Sequence, residues 1–335
     1  MRHTRRSFLH TAGQATLAAG AVLRASDTAR ASTQATGAAP KPGAGAAGHA
    51  SATAPLGGTL CLFSKHLPDL HGRDLAKTVK GLGFAGIDLT VRPKGHVLPE
   101  RAAADLPRVI EAIRAEGVDV TMITTAQTTV REPETEPIVK TAGALKIPYF
   151  KPGYYLYELK DVRADVQRAG RELAQLASLT QRHGVVLGYH NHEGNVGGPI
   201  WDMVSMIDPL DPQWVGYYYD VRHAVVEGGN VGWKVATELV LPRLKMIAIK
   251  DCFWEKGANG KWKARHCPMG QGMVDWPAYL GRLMQANYTG PISLHVEYPI
   301  AGASDRERQD NTIKAIQDDL AFLTRAIRQV SEASA

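Results

Sequence analysis

Eight short apolar segments, spaced about thirty residues apart, constrain the fold of this chain more than any other feature. They cover residues 59–63, 86–91, 118–124, 149–151, 185–190, 215–220, 244–250 and 292–297. Amphipathic stretches separate them, including predicted helices that begin at a capping Asp74, span 163–184 and span 305–331. Continuously apolar segments are typical of strands buried on both faces of a parallel sheet. Eight strand–helix units predict an α/β protein, a (β/α)8 TIM barrel.

An open, doubly wound sheet is the structural alternative. Such a sheet commonly carries a glycine-rich phosphate turn after its first strand. Here the first segment is followed by Ser64, Lys65 and His66. The missing turn favours the closed barrel.

Charge is concentrated at the N-terminus. The net charge is +6, and residues 1–31 contain five arginines and one aspartate. The remainder is therefore close to neutral, which argues against a nucleic-acid partner and a DNA-repair endonuclease. Three cysteines are too few for a disulfide scaffold, and we expect no bond between Cys252 and Cys267.

The N-terminal segment has the three parts of an export signal. Arg5 and Arg6 precede a short apolar run and an Ala-x-Ala site that ends at Ala31. The arginine pair resembles a twin-arginine signal and predicts a periplasmic protein with no stable membrane span after signal removal. We predict a signal peptide at 1–31, an Ala/Gly/Pro-rich flexible linker at 32–57 and the barrel at 58–335.

Ionisable residues crowd the carboxyl ends of the predicted strands, where the active sites of TIM barrels lie. In chain order they are Arg92, His96, Lys151, His190, His192, Glu193, Asp220, His223, Lys250, Asp251, His295 and Glu297. Such groups are costly to desolvate unless they bind a ligand or pair with each other. Their concentration at one rim predicts an active site.

Imidazole and carboxylate groups in this set predict one divalent metal ion, with Mn, Zn, Co and Mg all open. The predicted ligands are His190, His192, Asp220, His295 and Glu297. The histidines could instead be structural, and Asp220 could simply cap a helix. Lys250 and Lys151 could stabilise an enolate or transfer protons, although Lys250 and Asp251 could also be a surface pair.

The predicted substrate contacts are polar or aromatic. Arg92 and His96 could bind hydroxyls or a phosphate, His223 and Asp251 could bind substrate, and Trp254 could stack on a sugar face. A solvated loop and packing at the barrel rim are the alternatives for these residues.

Several local motifs resemble one known family. They are Asp88-Leu-Thr-Val-Arg92 with His96, Tyr189-His-Asn-His192, Asp220-x-x-His223, Ile249-Lys-Asp251, Met269-Gly-Gln-Gly272, Val274-Asp-Trp276 and Glu297. This pattern resembles the sugar phosphate isomerase/epimerase family of xylose isomerase-like TIM barrels.

The resemblance implies one divalent metal held by Glu on strand five, Asp on strand six, His on strand seven and Glu on strand eight. Asp220 matches strand six, and Glu297 or His295 matches strand eight. His190 stands at the strand-five position and Ala248 at the strand-seven position. Either the other histidines compensate, or Lys151 and Lys250 supply positive charge in place of the metal.

The expected activity is a metal-assisted isomerase or epimerase that removes a proton next to the carbonyl of a sugar or keto-sugar. Glu297 or His190 would take the proton, Glu193 or His295 would return it, and Lys250 would stabilise the enediolate. A lyase or hydratase that eliminates from a 3-keto-glycoside is one alternative. A non-catalytic carbohydrate-binding barrel without metal is another. The expected partner is a small carbohydrate. The sequence leaves open whether the chain forms a homo-oligomer.

Overall fold

A computed structural model of the chain describes residues 56–334. The strands are β1 (Leu60–Phe63), β2 (Gly86–Val91), β3 (Asp119–Thr125), β4 (Tyr149–Lys151), β5 (Val186–His190), β6 (Val215–Asp220), β7 (Leu244–Ile249), β8 (Asp251–Lys256), β9 (Trp262–Cys267) and β10 (Ile292–Leu294). The α-helices are α1 (Gly72–Gly81), α2 (Ala102–Arg114), α3 (Thr135–Ala144), α4 (Val162–Arg182), α5 (Trp201–Ile207), α6 (Val221–Val240), α7 (Trp276–Gln285) and α8 (Asp305–Ser334).

Eight parallel strands close into a barrel in the order β1-β10-β7-β6-β5-β4-β3-β2. Closure occurs where β1 pairs with β10, with Leu60 opposite Ile292. The predicted TIM barrel is confirmed. All eight predicted strands are present, but the last ends at Leu294, so His295 and Glu297 lie just beyond it.

The alternation of side chains along each strand divides the core into two parts. On β6, Tyr217 and Tyr219 pack in the large core between strands and helices, whereas Tyr218 packs inside the barrel. Tyr218 shares that inner layer with Met122, Met246 and Ala248. Successive residues of a strand point to opposite faces. Every second residue near the strand ends is therefore directed towards the barrel axis.

Helix ends differ in detail from the prediction. The residue before α1 is His71, which makes no side-chain cap, and Asp74 lies within the first turn rather than at the cap position. An acidic residue there still interacts favourably with the helix dipole. Asp161 does cap α4, because its side chain accepts a hydrogen bond from Ala164 N at 3.0 Å.

The predicted loop after the seventh barrel strand contains an antiparallel hairpin, β8–β9. Cys252 lies opposite His266 in this hairpin, and Cys252 and Cys267 are free thiols. Among residues 56–334, no helix combines the length and apolar character needed to cross a bilayer. The predicted signal peptide and positions 32–55 of the predicted linker lie outside the described residues.

The sheet leaves no space for a side chain at Gly216 on β6. A Cβ atom there would lie 2.1 Å from the backbone oxygen of Arg243, whereas one at Gly81 would meet nothing within 4 Å. We expect Gly216→Ala to lower the free energy of unfolding by about 2–3 kcal/mol. Gly81→Ala should leave it unchanged or raise it by up to about 1 kcal/mol. Urea unfolding of both variants checks this, and equal stabilities would contradict the tight strand packing.

Candidate active site

A cavity of about 110 Å³ lies at the rim where the carboxyl ends of the barrel strands meet. It is lined by Phe63, Lys65, Arg92, Thr124, Tyr154, His190, His192, Tyr218, Lys250, His295 and Glu297. Larger grooves lie on the outside, including one of about 690 Å³ between α7 and α8. The small rim cavity is the candidate active site, because cations, imidazoles and a carboxylate meet there.

Lys250 occupies the centre of a buried ion-pair network. Its Nζ lies 3.0 Å from Asp220 Oδ2 and 3.5 Å from Glu297 Oε2, and its side chain is only 3% exposed. Burial works against the charged form, but the two carboxylates together raise the pKa of Lys250 above its ordinary value. Lys250 is therefore an ammonium that bridges two carboxylates.

Asp220 has two roles at once. Its Oδ1 accepts hydrogen bonds from the backbone N–H groups of Arg222 and His223, at 3.0 and 3.3 Å, and so caps α6. Its Oδ2 faces Lys250, and lies 3.4 Å from His190 Nε2 and 3.5 Å from His223 Nε2. Burial disfavours ionisation, but Lys250 and His190 lower the pKa of Asp220 below its ordinary value. The Asp220 carboxylate therefore both caps α6 and contacts Lys250 and His190.

Glu297 lies beside two lysines and a histidine from three parts of the chain. Lys65 Nζ is 3.0 Å from its Oε1, and Lys250 and His266 lie 3.5 and 3.6 Å from its Oε2. Burial opposes ionisation, but the ammonium groups of Lys250 and Lys65 lower the pKa of Glu297 below its ordinary value. The side chain is therefore an ionised carboxylate at the cavity wall.

The proton of His295 is positioned by a network around Asp88. The hydroxyl groups of Thr124, Tyr218 and Ser293 donate to Asp88, at 2.7, 3.0 and 3.0 Å. Tyr218 and Ser293 have then used their protons, so they accept from His295 Nε2 at 3.2 and 3.1 Å. His295 Nδ1 has no hydrogen-bond partner within residues 56–334. Burial keeps the pKa of His295 well below 6.5, so its Nδ1 is a free acceptor at the cavity.

The protons of His190 and His223 point towards Asp220. Arg222 donates to His223 Nδ1 at 2.9 Å, and an arginine side chain cannot accept. The neutral ring of His223 therefore carries its proton on Nε2, which faces Asp220. His190 Nε2 lies 3.4 Å from Asp220 Oδ2, which can only accept, so this ring also carries its proton on Nε2 and its Nδ1 accepts from the Tyr154 hydroxyl at 3.2 Å. Burial lowers the pKa of His190 to about 3 and that of His223 well below 6.5, so both are neutral.

The fold brings possible metal ligands together. One ligand atom each from His190, Asp220 and His223 lies within 4.8 Å of the others, so by distance this buried group could hold a metal ion. The arrangement of protons does not fit one, because both imidazoles present N–H groups to Asp220 and Lys250 occupies its remaining side. A ligating histidine normally donates its other N–H away from the metal, whereas His223 accepts there. The groups as arranged bind an ammonium.

Two predicted substrate contacts are fully used by the fold. His96 Nδ1 lies 2.9 Å from Thr90 Oγ1, and its Nε2 is 3.2 Å from the Leu67 carbonyl. Asp251 accepts from the Trp276 indole at 2.9 Å and from several loop amides. Those amides belong to Cys252, Gly270, Gly272 and Val274. Neither His96 nor Asp251 is among the residues that line the cavity, and the hydrogen bonds of both hold loops in place, so their substrate roles stay predictions.

Three further predicted residues lie outside the cavity wall. Glu193 forms an ion pair with Arg222 at 2.5 Å. Lys151 is buried with its Nζ 3.5 Å from the centre of the Tyr154 ring, which lines the cavity. Burial and nearby Arg92 keep the pKa of Lys151 well below its ordinary value. Trp254 is 39% exposed on the hairpin strand β8.

Sequence reasoning missed four groups at the site. Lys65 lies two residues after β1, and Asp88 and Tyr218 lie on β2 and β6, so the pattern used for the other strand ends could have found them. His266 reaches Glu297 from β9. No local sequence pattern predicted that hairpin.

Buried neutral histidines make stability depend on pH. His66 Nε2 accepts from Val296 N at 3.0 Å, and burial lowers the pKa of His66 to about 3. The unfolded chain binds this proton below about pH 6.5, so stability falls as the pH drops from there towards 3. Between pH 6 and 4, we expect the free energy of unfolding of His66→Asn to fall less steeply with decreasing pH than that of the wild type. The two slopes should differ by up to about 1.4 kcal/mol per pH unit. Urea unfolding at several pH values checks this. An unchanged slope would mean that His66 is protonated in the folded state.

Solved structures of other proteins share this architecture. The IolI protein, with a bound zinc atom, is 16% identical with a TM-score of 0.64 over 81% of this chain and 98% of its own. A xylose isomerase-like TIM barrel protein from Mycobacterium smegmatis, in complex with magnesium, is 16% identical with a TM-score of 0.58 over 81% and 99%. The 3-keto-D-glucoside 4-epimerase from E. coli is 16% identical with a TM-score of 0.60 over 79% and 98%. At such identities the likeness shows the fold.

Sequence comparison gives the family. No curated protein matches the chain significantly. A family model described as xylose isomerase-like TIM barrel matches residues 76–326, which cover most of the barrel and its rim. The chain therefore belongs to the xylose isomerase-like TIM barrel family.

Proposed function

We propose that this protein is a sugar isomerase or epimerase that removes a proton from the carbon next to a carbonyl group. The observation that carries the proposal is the ionised Glu297 carboxylate in a cavity whose walls also present Lys65, Arg92 and Lys250. Abstraction of such a proton transfers negative charge to the carbonyl oxygen, and a cationic, desolvated wall stabilises that charge.

The proposed reaction begins with Glu297. Its carboxylate takes the proton, the C–H electron pair forms a C=C bond, and the carbonyl π electrons move to oxygen, where Lys250 donates a hydrogen bond. His295 Nδ1, 3.9 Å from Glu297 Oε1, is an open acceptor that can share the proton. Return of a proton to the neighbouring carbon gives isomerisation. Return on the opposite face gives epimerisation.

The substrate class is inferred as a sugar or keto-sugar. The structural likeness to 3-keto-D-glucoside 4-epimerase supports keto-glycosides as the first compounds to test. The twin-arginine-type N-terminus supports a periplasmic location, where an unphosphorylated substrate is favoured. Trp254 and His266 lie on the same side of the hairpin by alternation, so Trp254 could contact the part of a glycoside that extends beyond Glu297.

Elimination from a 3-keto-glycoside is the second candidate within the enzyme class. It starts with the same proton abstraction, after which the bond to the substituent two carbons from the carbonyl breaks and the alcohol leaves. Product analysis separates the two reactions: an epimer keeps the glycosidic bond, and elimination releases the aglycone. A non-catalytic carbohydrate-binding barrel would bind the same compounds without proton exchange.

Exchange of the carbon-bound proton with solvent tests the proposal. We expect deuterium from D2O to appear at the carbon next to the carbonyl of a keto-sugar substrate. Glu297→Gln should reduce the exchange rate by about 10²-fold or more, because the amide cannot accept the proton. Mass spectrometry and NMR of the recovered sugar measure both. Glu255→Gln is the matched control, since Glu255 pairs with Arg265 on the exposed hairpin.

Two results would count against the proposal. Binding of keto-sugars with no deuterium exchange would favour the non-catalytic barrel. Equal loss of exchange in Glu297→Gln and Glu255→Gln, with intact folding, would place the proton acceptor elsewhere.

A further inference from the structure

We infer that Lys250 takes the place of the divalent ion predicted from the sequence: its ammonium bridges Asp220 and Glu297 and leaves a cavity that works without metal. The assignment of Lys250 as the oxyanion donor rests on the proposed function. The exclusion of a bound metal ion does not, because it follows from the contacts of the chain itself.

The first argument is that Asp220 has no oxygen left to ligate an ion. Its Oδ1 accepts two backbone N–H groups of α6. Its Oδ2 is 3.0 Å from Lys250 Nζ and also faces the Nε2–H groups of His190 and His223. A carboxylate offers about four lone-pair sites, and the two backbone N–H groups, Lys250 and His190 take them. His223 Nε2, which has no hydrogen-bond partner within residues 56–334, faces the same oxygen from 3.5 Å.

The second argument concerns the imidazole protons. A metal ligand must present a nitrogen lone pair. At His223 the lone pair is on Nδ1 and points to Arg222, so binding an ion through Nε2 would break the 2.9 Å hydrogen bond to Arg222 or leave two donors facing each other. The buried guanidinium of Arg222 therefore selects the proton-bearing form of His223 at the carboxylate.

The third argument is the charge of the cavity. The cations at the cavity wall are Lys65, Arg92 and Lys250. The carboxylates near them are those of Glu297 and Asp220. The carboxylates are already matched by cations within 3.0–3.5 Å. Adding a divalent ion would bring two further positive charges next to Lys250, which is unfavourable in a desolvated site. An anionic enediolate would instead be attracted.

The fourth argument is the composition of β7. Ala248 lies opposite Asp220 on β6 and opposite Ser293 on β10, inside the barrel. Its methyl group offers no ligand at this inward-facing position. Two residues further on the same side, Lys250 supplies the charge from just beyond the strand end.

The metal content of the full chain tests the inference. Wild-type protein is produced with added manganese, cobalt and zinc, dialysed, and measured by elemental mass spectrometry; we expect far less than one ion per chain. Lys250→Ala should gain about one ion, because it removes the ammonium that lies between Asp220 and Glu297 beside the imidazoles. Binding of Co²⁺ is followed by its visible absorption. Lys151→Ala, which removes a buried lysine that does not bridge these carboxylates, is the matched control and should gain none.

Ala248→His/Lys250→Ala serves as a second variant, because the added imidazole supplies a ligand on β7 and helps compensate the buried carboxylates. A raised melting temperature with Zn²⁺ in either variant, and not in the wild type, supports the inference. A stoichiometric ion in dialysed wild type, or equal ion binding by wild type and both Lys250 variants, would overturn it. The proposed function fails separately: metal-free wild type without deuterium exchange would refute the activity and leave the role of Lys250 in ion-pairing intact.

Discussion

The pairing of β1 with β10 is the contact on which the candidate site depends. It closes the ring of parallel strands and brings Lys65, which follows the first strand, within 3.0 Å of Glu297, which follows the last. These residues are 232 positions apart in the chain. Because all eight strands run in one direction, their carboxyl ends meet at the same rim. The site is therefore assembled by topology rather than by any single loop.

Ion pairing at this rim links stability to chemistry. Asp220, Lys250 and Glu297 are charged groups with little exposure to water, and each would be costly to bury alone. Together they compensate one another, and the same ammonium lies at the cavity wall. Asp220 also begins α6, so the position of that helix is coupled to the position of Lys250. A change at Asp220 would disturb the helix end and the site together.

The candidate residues show how far local patterns can be interpreted. His190, Asp220, Lys250 and Glu297 were recognisable because they end strands or follow them directly. Asp251 has the same local appearance, yet its partners Val274 and Trp276 lie 23 and 25 residues further on and use both of its oxygens. His266 lies in a hairpin that no periodicity indicated. Position after a strand predicts where a side chain lies, but its hydrogen-bond partners depend on distant segments.

Metal binding shows the same difference between what the sequence indicates and what the structure decides. The residue types at the strand ends indicated that imidazoles and carboxylates lie together at the rim. Judged by distance, three of these groups could hold a metal ion. Whether they bind an ion or an ammonium depends on which nitrogen of each ring carries the proton. Arg222 decides this for His223, and the hydroxyls around Asp88 decide it for His295.

The sequence alone determined the number and direction of the barrel strands, the rim at which ionisable groups gather, and the family, because these follow from local periodicity and short motifs. Only the tertiary structure decided that Lys250 lies between Asp220 and Glu297 and that the imidazoles turn their protons to the same carboxylate. The reason is physical: charge state and proton position depend on burial and on distances of a few ångströms between segments far apart in the chain.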